Sequence, residues 1–270
     1  MRLIDSHCHL DFECFDQDRD EVLQQARSAG VCHLVIPGVR AATWSRLLEL
    51  CRRHSGLFPA LGLHPYFIEE HSPEQLEVLR QMLRAESDIL LAVGEIGVDA
   101  RKPSLEVQWE LFRAQLDLAQ EFSKPVIIHS VKTHDEVCAE LRRRRIGKGV
   151  IHAFSGSRQQ AENFVDSGLW LGIGGVITHQ RARKTREAIR HIPLDKLVLE
   201  SDAPDMAMAG RPGLRNSPQW LPEVLDSLAE LREESPQALA RQLWRNACDL
   251  FECEFPQPAL DEKAAAGSLV

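Results

Sequence analysis

Apolar positions along the chain fall into two alternating patterns. Short runs rich in valine, isoleucine and leucine recur as RLID at 2–5, CHLVIPG at 32–38, LFPALGLH at 57–64, ILLAVGEIG at 89–97, PVIIH at 125–129, GVIHAF at 149–154, LWLGIGG at 169–175 and KLVLESD at 196–202. Such runs predict buried strands. Between them the apolar residues take a helical spacing. DRDEVLQQARSAG sets Val22, Leu23 and Ala26 on one face and stops at Gly30. SPEQLEVLRQML opens with Ser72 as an N-cap, Pro73 at the first helical position and Gln75 placed to complete a capping box. Further helices are expected at 105–122, 134–145, 158–167, 182–191, 218–233 and 236–251.

A strand followed by a helix, repeated along the whole chain, predicts a parallel sheet, and eight such units close into a ring. The fold class expected is therefore α/β, a (β/α)8 TIM barrel of the metal-dependent hydrolase type. A doubly wound open sheet would show fewer strands and a glycine-rich first turn, which this chain lacks. No linker or low-complexity block divides it, so residues 1–255 are expected to form one domain, with 256–270 (PQPALDEKAAAGSLV) a frayed tail. The stretch APDMAMAGRPGLRNSP, Ala203 to Pro218, is long and rich in glycine and proline, and its place after the eighth strand suggests a substrate loop.

Composition narrows the function. The chain has 270 residues, 44% of them hydrophobic, enough for a large core. A net charge of -8 argues against bulk attraction to nucleic acid, so any polyanion must be gripped locally. Seven scattered cysteines with no C-x-x-C spacing fit buried thiols in a reducing cytoplasm. Residues 1–20 are too polar for a signal peptide, and no apolar run is long enough to span a membrane. A cytoplasmic protein is expected, monomeric, with no membrane contact and no obligate protein partner.

Barrel enzymes carry their chemistry at the C-terminal ends of the strands. There the sequence supplies His7 and His9 after the first strand, His64 after the third, Glu95 in the fourth, His129 in the fifth, His152 in the sixth and Asp202 after the eighth. Along an extended strand His7 and His9 share a face, as a pair gripping one metal ion or as partly buried histidines bonded to neighbouring oxygens. The arrival of so many metal-ligand types at one end of separate strands favours the metal reading. Imidazoles are borderline nitrogen ligands, and a carboxylate lowers the local charge and bridges ions. Glu95 is the expected bridge; Asp202 is expected to bind metal and to orient, or accept a proton from, an attacking water. Asp11 and Asp99 are candidates to orient ligands, or are turn residues.

The motifs IDSHCHLDF, LGLHPY, VGEIGVD, PVIIHS, IHAFSGS, LGIGG, LESDAPD and RNACDLF, in this order over residues 2–251, resemble the TatD family of metal-dependent deoxyribonucleases, with SDAPDM and HSVKTHD nearest its YjjV-type branch. The resemblance implies two divalent metal ions (Mg, Mn or Zn) and cleavage of single-stranded DNA from its 3′ end. By position it implies His7, His9, Glu95 and Asp202 on one metal, Glu95, His129 and His152 on the other, and His64 beside the scissile phosphate. The chain departs from the family at Ala100, where an aromatic residue is common, at Val131, where arginine is common, and at Ser217, where RNSP replaces an asparagine–glutamate–proline element.

Substrate contacts are expected from Tyr66 beside the His–Pro step, from Lys132 in compensation for Val131, from Arg181 after the seventh strand, and from Arg211 and Arg215 in the long loop. The run Arg142 to Arg145 reads as a solvated helix face, and one tyrosine with six per cent aromatics argues against an extensive base-stacking platform. Two other readings compete. The same activated water could attack an ester or amide, as in a deacylase or amidohydrolase acting, for example, on aminoacyl-tRNA. A non-enzymatic metal-binding protein should have lost a ligand, and none is missing.

Overall fold

A computed structural model describes residues 1–256. Its strands are β1 (Leu3–Asp5), β2 (Val31–Gly38), β3 (Leu57–Leu61), β4 (Ala92–Asp99), β5 (Val126–Val131), β6 (Gly149–Ile151), β7 (Trp170–Ile173) and β8 (Leu197–Leu199). They lie side by side in chain order in one eight-stranded sheet, every pair parallel. The helices are α1 (Arg19–Ser28), α2 (Trp44–Arg53), α3 (Glu74–Ala85), α4 (Leu105–Glu121), α5 (His134–Arg144), α6 (Arg158–Asp166), α7 (Arg183–His191), α8 (Leu221–Arg232) and α9 (Pro236–Phe251). The ring is drawn shut just beyond the strand ends. Ser6 N–H donates to Leu199 O at 2.9 Å, Asp202 N–H to His7 O at 2.9 Å, and the buried Asp5 carboxylate accepts from Ser201 N–H at 2.9 Å. This is the TIM barrel that the alternation of strands and helices predicts.

Alternation of side chains along each strand sorts the core into two shells. Leu34, Ile36, Val126, Ile128, Leu197 and Leu199 pack outward against the helices. Their neighbours Val35, Ile127, Val150 and Val198 pack inward with Ile4, Ala60 and Ala92, and Ala247, Leu250, Phe251 and Phe255 join the same cluster. Helix α9 and the segment after it therefore close the N-terminal end of the barrel. Continuing the inward parity two residues along places His129 above Ile127, His152 above Val150, and Glu200 and Asp202 above Val198. One interior thus has an apolar floor and a polar ceiling.

Local details amend several expectations. The strand β1 ends at Asp5, so His7 and His9 stand beyond the sheet ladder rather than on it. Helix α3 is entered through Pro73, already helical in φ and ψ; Gln75 does accept the Ser72 N–H at 3.3 Å, but the Ser72 side chain does not cap, leaving half a box. A complete capping box forms instead at Ser157 and Gln160, which open α6. Pro218–Trp220 is a separate 3-10 turn before α8. Of the tail expected to fray, Pro256 accepts from His33 Nε2 at 2.7 Å, and 257–270 lie outside the described residues.

Candidate metal centre

Six buried or nearly buried side chains converge on Glu95 at the C-terminal mouth of the barrel. Its two carboxylate oxygens face different groups. Oε2 lies 3.2 Å from His7 Nε2 and 3.3 Å from His9 Nε2, and those two nitrogens are 3.1 Å apart. Asp202 Oδ1 completes this side, 3.5 Å from His7 Nε2 and 3.7 Å from His9 Nε2. Oε1 lies 2.7 Å from His152 Nε2, 2.8 Å from His64 Nε2 and 3.2 Å from His129 Nδ1.

On the Oε2 side these separations fit a cation, whereas His152 and His64 stand at hydrogen-bond distance from Oε1. Bonds of about 2.1 Å place tetrahedral ligand atoms about 3.4 Å from one another. Two imidazole nitrogens aimed at the same carboxylate oxygen, at 3.1 Å from each other, share the spacing such an ion imposes. His7–His9–Glu95, His7–His152–Asp202 and His64–Glu95–His129 each gather donor atoms within 4.8 Å. The donor set, borderline nitrogens with hard oxygens, suits zinc, manganese or magnesium with partial substitution by water.

The neighbours of each imidazole decide which nitrogen carries its proton. His129 turns Nε2 toward Asp99 Oδ2 at 3.2 Å, which draws the proton there and leaves the Nδ1 lone pair facing the centre. Arg101 grips both oxygens of Asp99, at 3.1 and 2.9 Å. Burial alone would raise the Asp99 carboxyl, but His129 and Arg101 hold it well below the carboxylate range. Asp99 is thus a positioning residue and a turn residue at once, its Oδ1 also accepting the Arg101 N–H at 2.9 Å. His64 is the converse case. Its Nδ1 accepts the Tyr66 N–H at 3.0 Å, so the proton sits on Nε2 and His64 presents a donor, not a lone pair. Burial lowers its pKa to about 4, keeping the ring neutral.

Electrostatics follow the same division. Burial pushes Glu95 up, yet the surrounding His152, His64 and His7 hold it ionised, well below its usual range. Burial drives His7 down, with His152 adding to the effect. Burial also opposes protonation of His9, but hydrogen bonding and charge from Glu95 override it and lift the pKa to about 9. Burial raises Asp202 to about 6 and Glu200 to about 8.

The backbone brings these groups together through two close approaches. At Gly97, in GEIG, φ is +149° and a Cβ would stand 1.9 Å from the His129 carbonyl, so only glycine lets β4 and β5 approach there. At Gly172 a Cβ would meet the Glu200 carboxylate at 2.1 Å, so this glycine houses the carboxylate beneath His152. Two glutamines on the inner face of α4 add a support that motif reading missed. Gln115 receives Leu63 N–H at 2.7 Å and donates to Leu63 O at 3.1 Å; Gln108 receives Asp99 N–H at 2.8 Å and donates to Pro103 O at 2.8 Å. They pin the residue before His64 and the residue that orients His129. Their signal was a polar residue at a seven-residue interval within an otherwise apolar helix face.

The expected substrate contacts separate in the structure. Tyr66, Lys132 and Arg181 are exposed on loops that follow strand ends. Arg211 instead pairs with Glu223 at 2.6 Å and stacks over Trp220, while Arg215 pairs with Asp18 at 3.0 Å and stacks over Phe15. Both guanidiniums pair with carboxylates of the chain and so tie down the long loop. Asn216, in the divergent RNSP element, donates to Ser201 O at 2.8 Å and serves the same purpose. The run Arg142 to Arg145 lies on a helix flank where Arg143 and Arg144 pair with Glu140.

A family model described as TatD related DNase matches residues 4–252, the whole barrel. The chain belongs to the TatD family. It is 44% identical over 253 residues to the uncharacterized metal-dependent hydrolase YjjV of Escherichia coli K12, covering 93% of this chain and 98% of that one. The crystal structure of that TatD homolog superposes with a TM-score of 0.91 at 43% identity, over 94% of this chain and 99% of the other. A 3'-5' ssDNA/RNA exonuclease TatD from Erwinia billingiae is 36% identical over 247 residues, covering 88% of this chain and 94% of the relative. This TatD-family chain is therefore a metal-dependent hydrolase, with a buried His, Glu and Asp cluster suited to metal ions. Among the described residues no helix is long and apolar enough to cross a membrane.

Proposed function

We propose that the protein is a two-metal phosphodiesterase that removes nucleotides from the 3′ end of single-stranded DNA. The observation that carries this reading is the divided carboxylate of Glu95, one oxygen among His7, His9 and Asp202 and the other beside His129 and His152. His7, His9, Glu95 and Asp202 would hold one divalent ion, magnesium, manganese or zinc, and Glu95, His129 and His152 the second. What such a pair supplies when bound is polarisation of phosphate oxygens and a lowered pKa for the attacking water.

The chain's own groups do the rest. Asp202, at the rim of the cluster, orients the water and takes its proton. His64, neutral and with its proton fixed on Nε2, donates to a phosphate oxygen as negative charge builds there. Lys132 and Arg181 add positive charge at the rim. Nucleic acid as substrate, and the direction of cleavage, rest on the relative described as a 3'-5' ssDNA/RNA exonuclease.

Purified protein supplied with Mn²⁺ or Mg²⁺ is expected to shorten end-labelled single-stranded DNA. Glu95→Ala or Asp202→Asn should abolish this while leaving the thermal melt cooperative. Digestion by both variants at the parental rate would show the nuclease to be a contaminant. The same preparation tested on esters, amides and aminoacyl-tRNA separates this reading from a deacylase.

A further inference from the structure

We infer that Tyr66 and Lys102 together form a seat for one nucleotide of the substrate, the base stacking on the ring and a phosphate meeting the ammonium. The inference rests on the phosphodiesterase reading and adds the group that recognises the substrate. Tyr66 is 56% exposed, the only tyrosine of the chain, and its backbone N–H is the group that fixes the His64 ring. Lys102 follows β4, where its own N–H donates to Asp99 O at 3.0 Å, the residue that orients His129. The two side chains meet across the gap between the β3 and β4 loops, with the Lys102 ammonium 3.2 Å from the Tyr66 ring centroid. The backbone ties both to the Oε1 side of Glu95, Tyr66 through His64 and Lys102 through Asp99 and His129, whose two rings stand 4.4 Å apart.

A cation over an aromatic face is a favourable contact, and it covers a ring that water would otherwise wet. It is also readily exchanged. A phosphate offers the ammonium a full negative charge, and a base offers the uncovered ring a stacking partner that tolerates any sequence. A nucleotide carries both groups, so it replaces the one contact with two. Arg101 does not compete for the phosphate, since it is held on Asp99.

The lone tyrosine permits a direct test. Protein grown with 3-fluorotyrosine and loaded with Mg²⁺ is titrated with thymidine 5′-monophosphate and, separately, with inorganic phosphate, following the single fluorine resonance. A saturable shift is expected with the nucleotide, larger than phosphate produces because only the nucleotide brings a ring to stack, and Lys102→Met should weaken the nucleotide about tenfold. In degradation assays Tyr66→Ala should raise KM about tenfold, and Tyr66→Phe should restore it. An unmoved resonance, or the same shift with phosphate alone, overturns the seat even if DNA is degraded. A nucleotide-specific shift without DNA degradation supports the seat and removes the exonuclease reading instead.

Discussion

Asp99 shows how one side chain sets the chemistry of another. By accepting from His129 Nε2 it turns the Nδ1 lone pair inward, and by pairing with Arg101 it stays ionised. Asp99→Asn keeps the shape but offers an amide whose NH2 can donate to the ring and reverse the tautomer. Metal affinity should fall about 10–100-fold, read by calorimetric titration with Mn²⁺ or Zn²⁺. Parental affinity would mean that the tautomer is set elsewhere. His64 carries the complementary lesson. A histidine of metal-ligand type and position is made a proton donor by one backbone N–H.

Helix α4 acts as a splint across two strand ends. Gln108 and Gln115 are fully buried, each satisfied by backbone groups of β4, β3 or the turns that follow. Replacing Gln115 with Leu strands the Leu63 N–H and C=O in an apolar setting, a loss of about 1–3 kcal/mol in urea unfolding. Activity should fall further than stability, because the freed residue precedes His64. Loss of stability with no loss of activity would confine Gln115 to a structural role. The helices themselves were legible in the sequence to within a residue or two for α4, α5, α6, α7 and α9, while α2, between the second and third strands, was not read. The splint was not, since a buried glutamine looks like an exposed one until its backbone partners are known. For the same reason Ser72 and Ser157, both followed by glutamine at the third position, could not be ranked as caps from their spacing.

At the scale of the molecule, the barrel's two ends do different work. The floor is apolar and closed by α9, with Phe251 and Phe255 packed among Ile4, Val35, Ile127 and Val198. Phe251→Ala should cost about 3–5 kcal/mol of unfolding free energy without touching a metal ligand. Its metal-loaded activity at low temperature should remain near the parent's. His33 gives the floor a pH response. Burial lowers its pKa from the usual 6.5, and its ring stacks on Phe255 and bonds to Pro256 O. The unfolded chain therefore binds the proton first. This contribution to stability is whole above pH 6.5 and is lost as pH falls through the lowered native value. His33→Gln should flatten the decline in melting temperature between neutral and mildly acid pH, measured against the parent, and an unchanged decline would assign it to other histidines.

The sequence by itself determined the eight-fold alternation, and with it the barrel, since hydrophobic periodicity is a local property that each segment carries alone. It also determined the metal-ligand types, because the barrel topology sends every strand's C-terminal end to one mouth. Only the tertiary structure decided which oxygen of Glu95 faces which histidine, that His64 donates while His129 offers a lone pair, and that Arg211 and Arg215 are already paired. Most of those outcomes depend on partners apart in the chain, 30 residues for His129 and Asp99 and 197 for Arg215 and Asp18, while the His64 proton is set locally by Tyr66. A charge or ring nitrogen acquires its role from what stands within about 3 Å of it, and that neighbourhood exists only after the ring has closed.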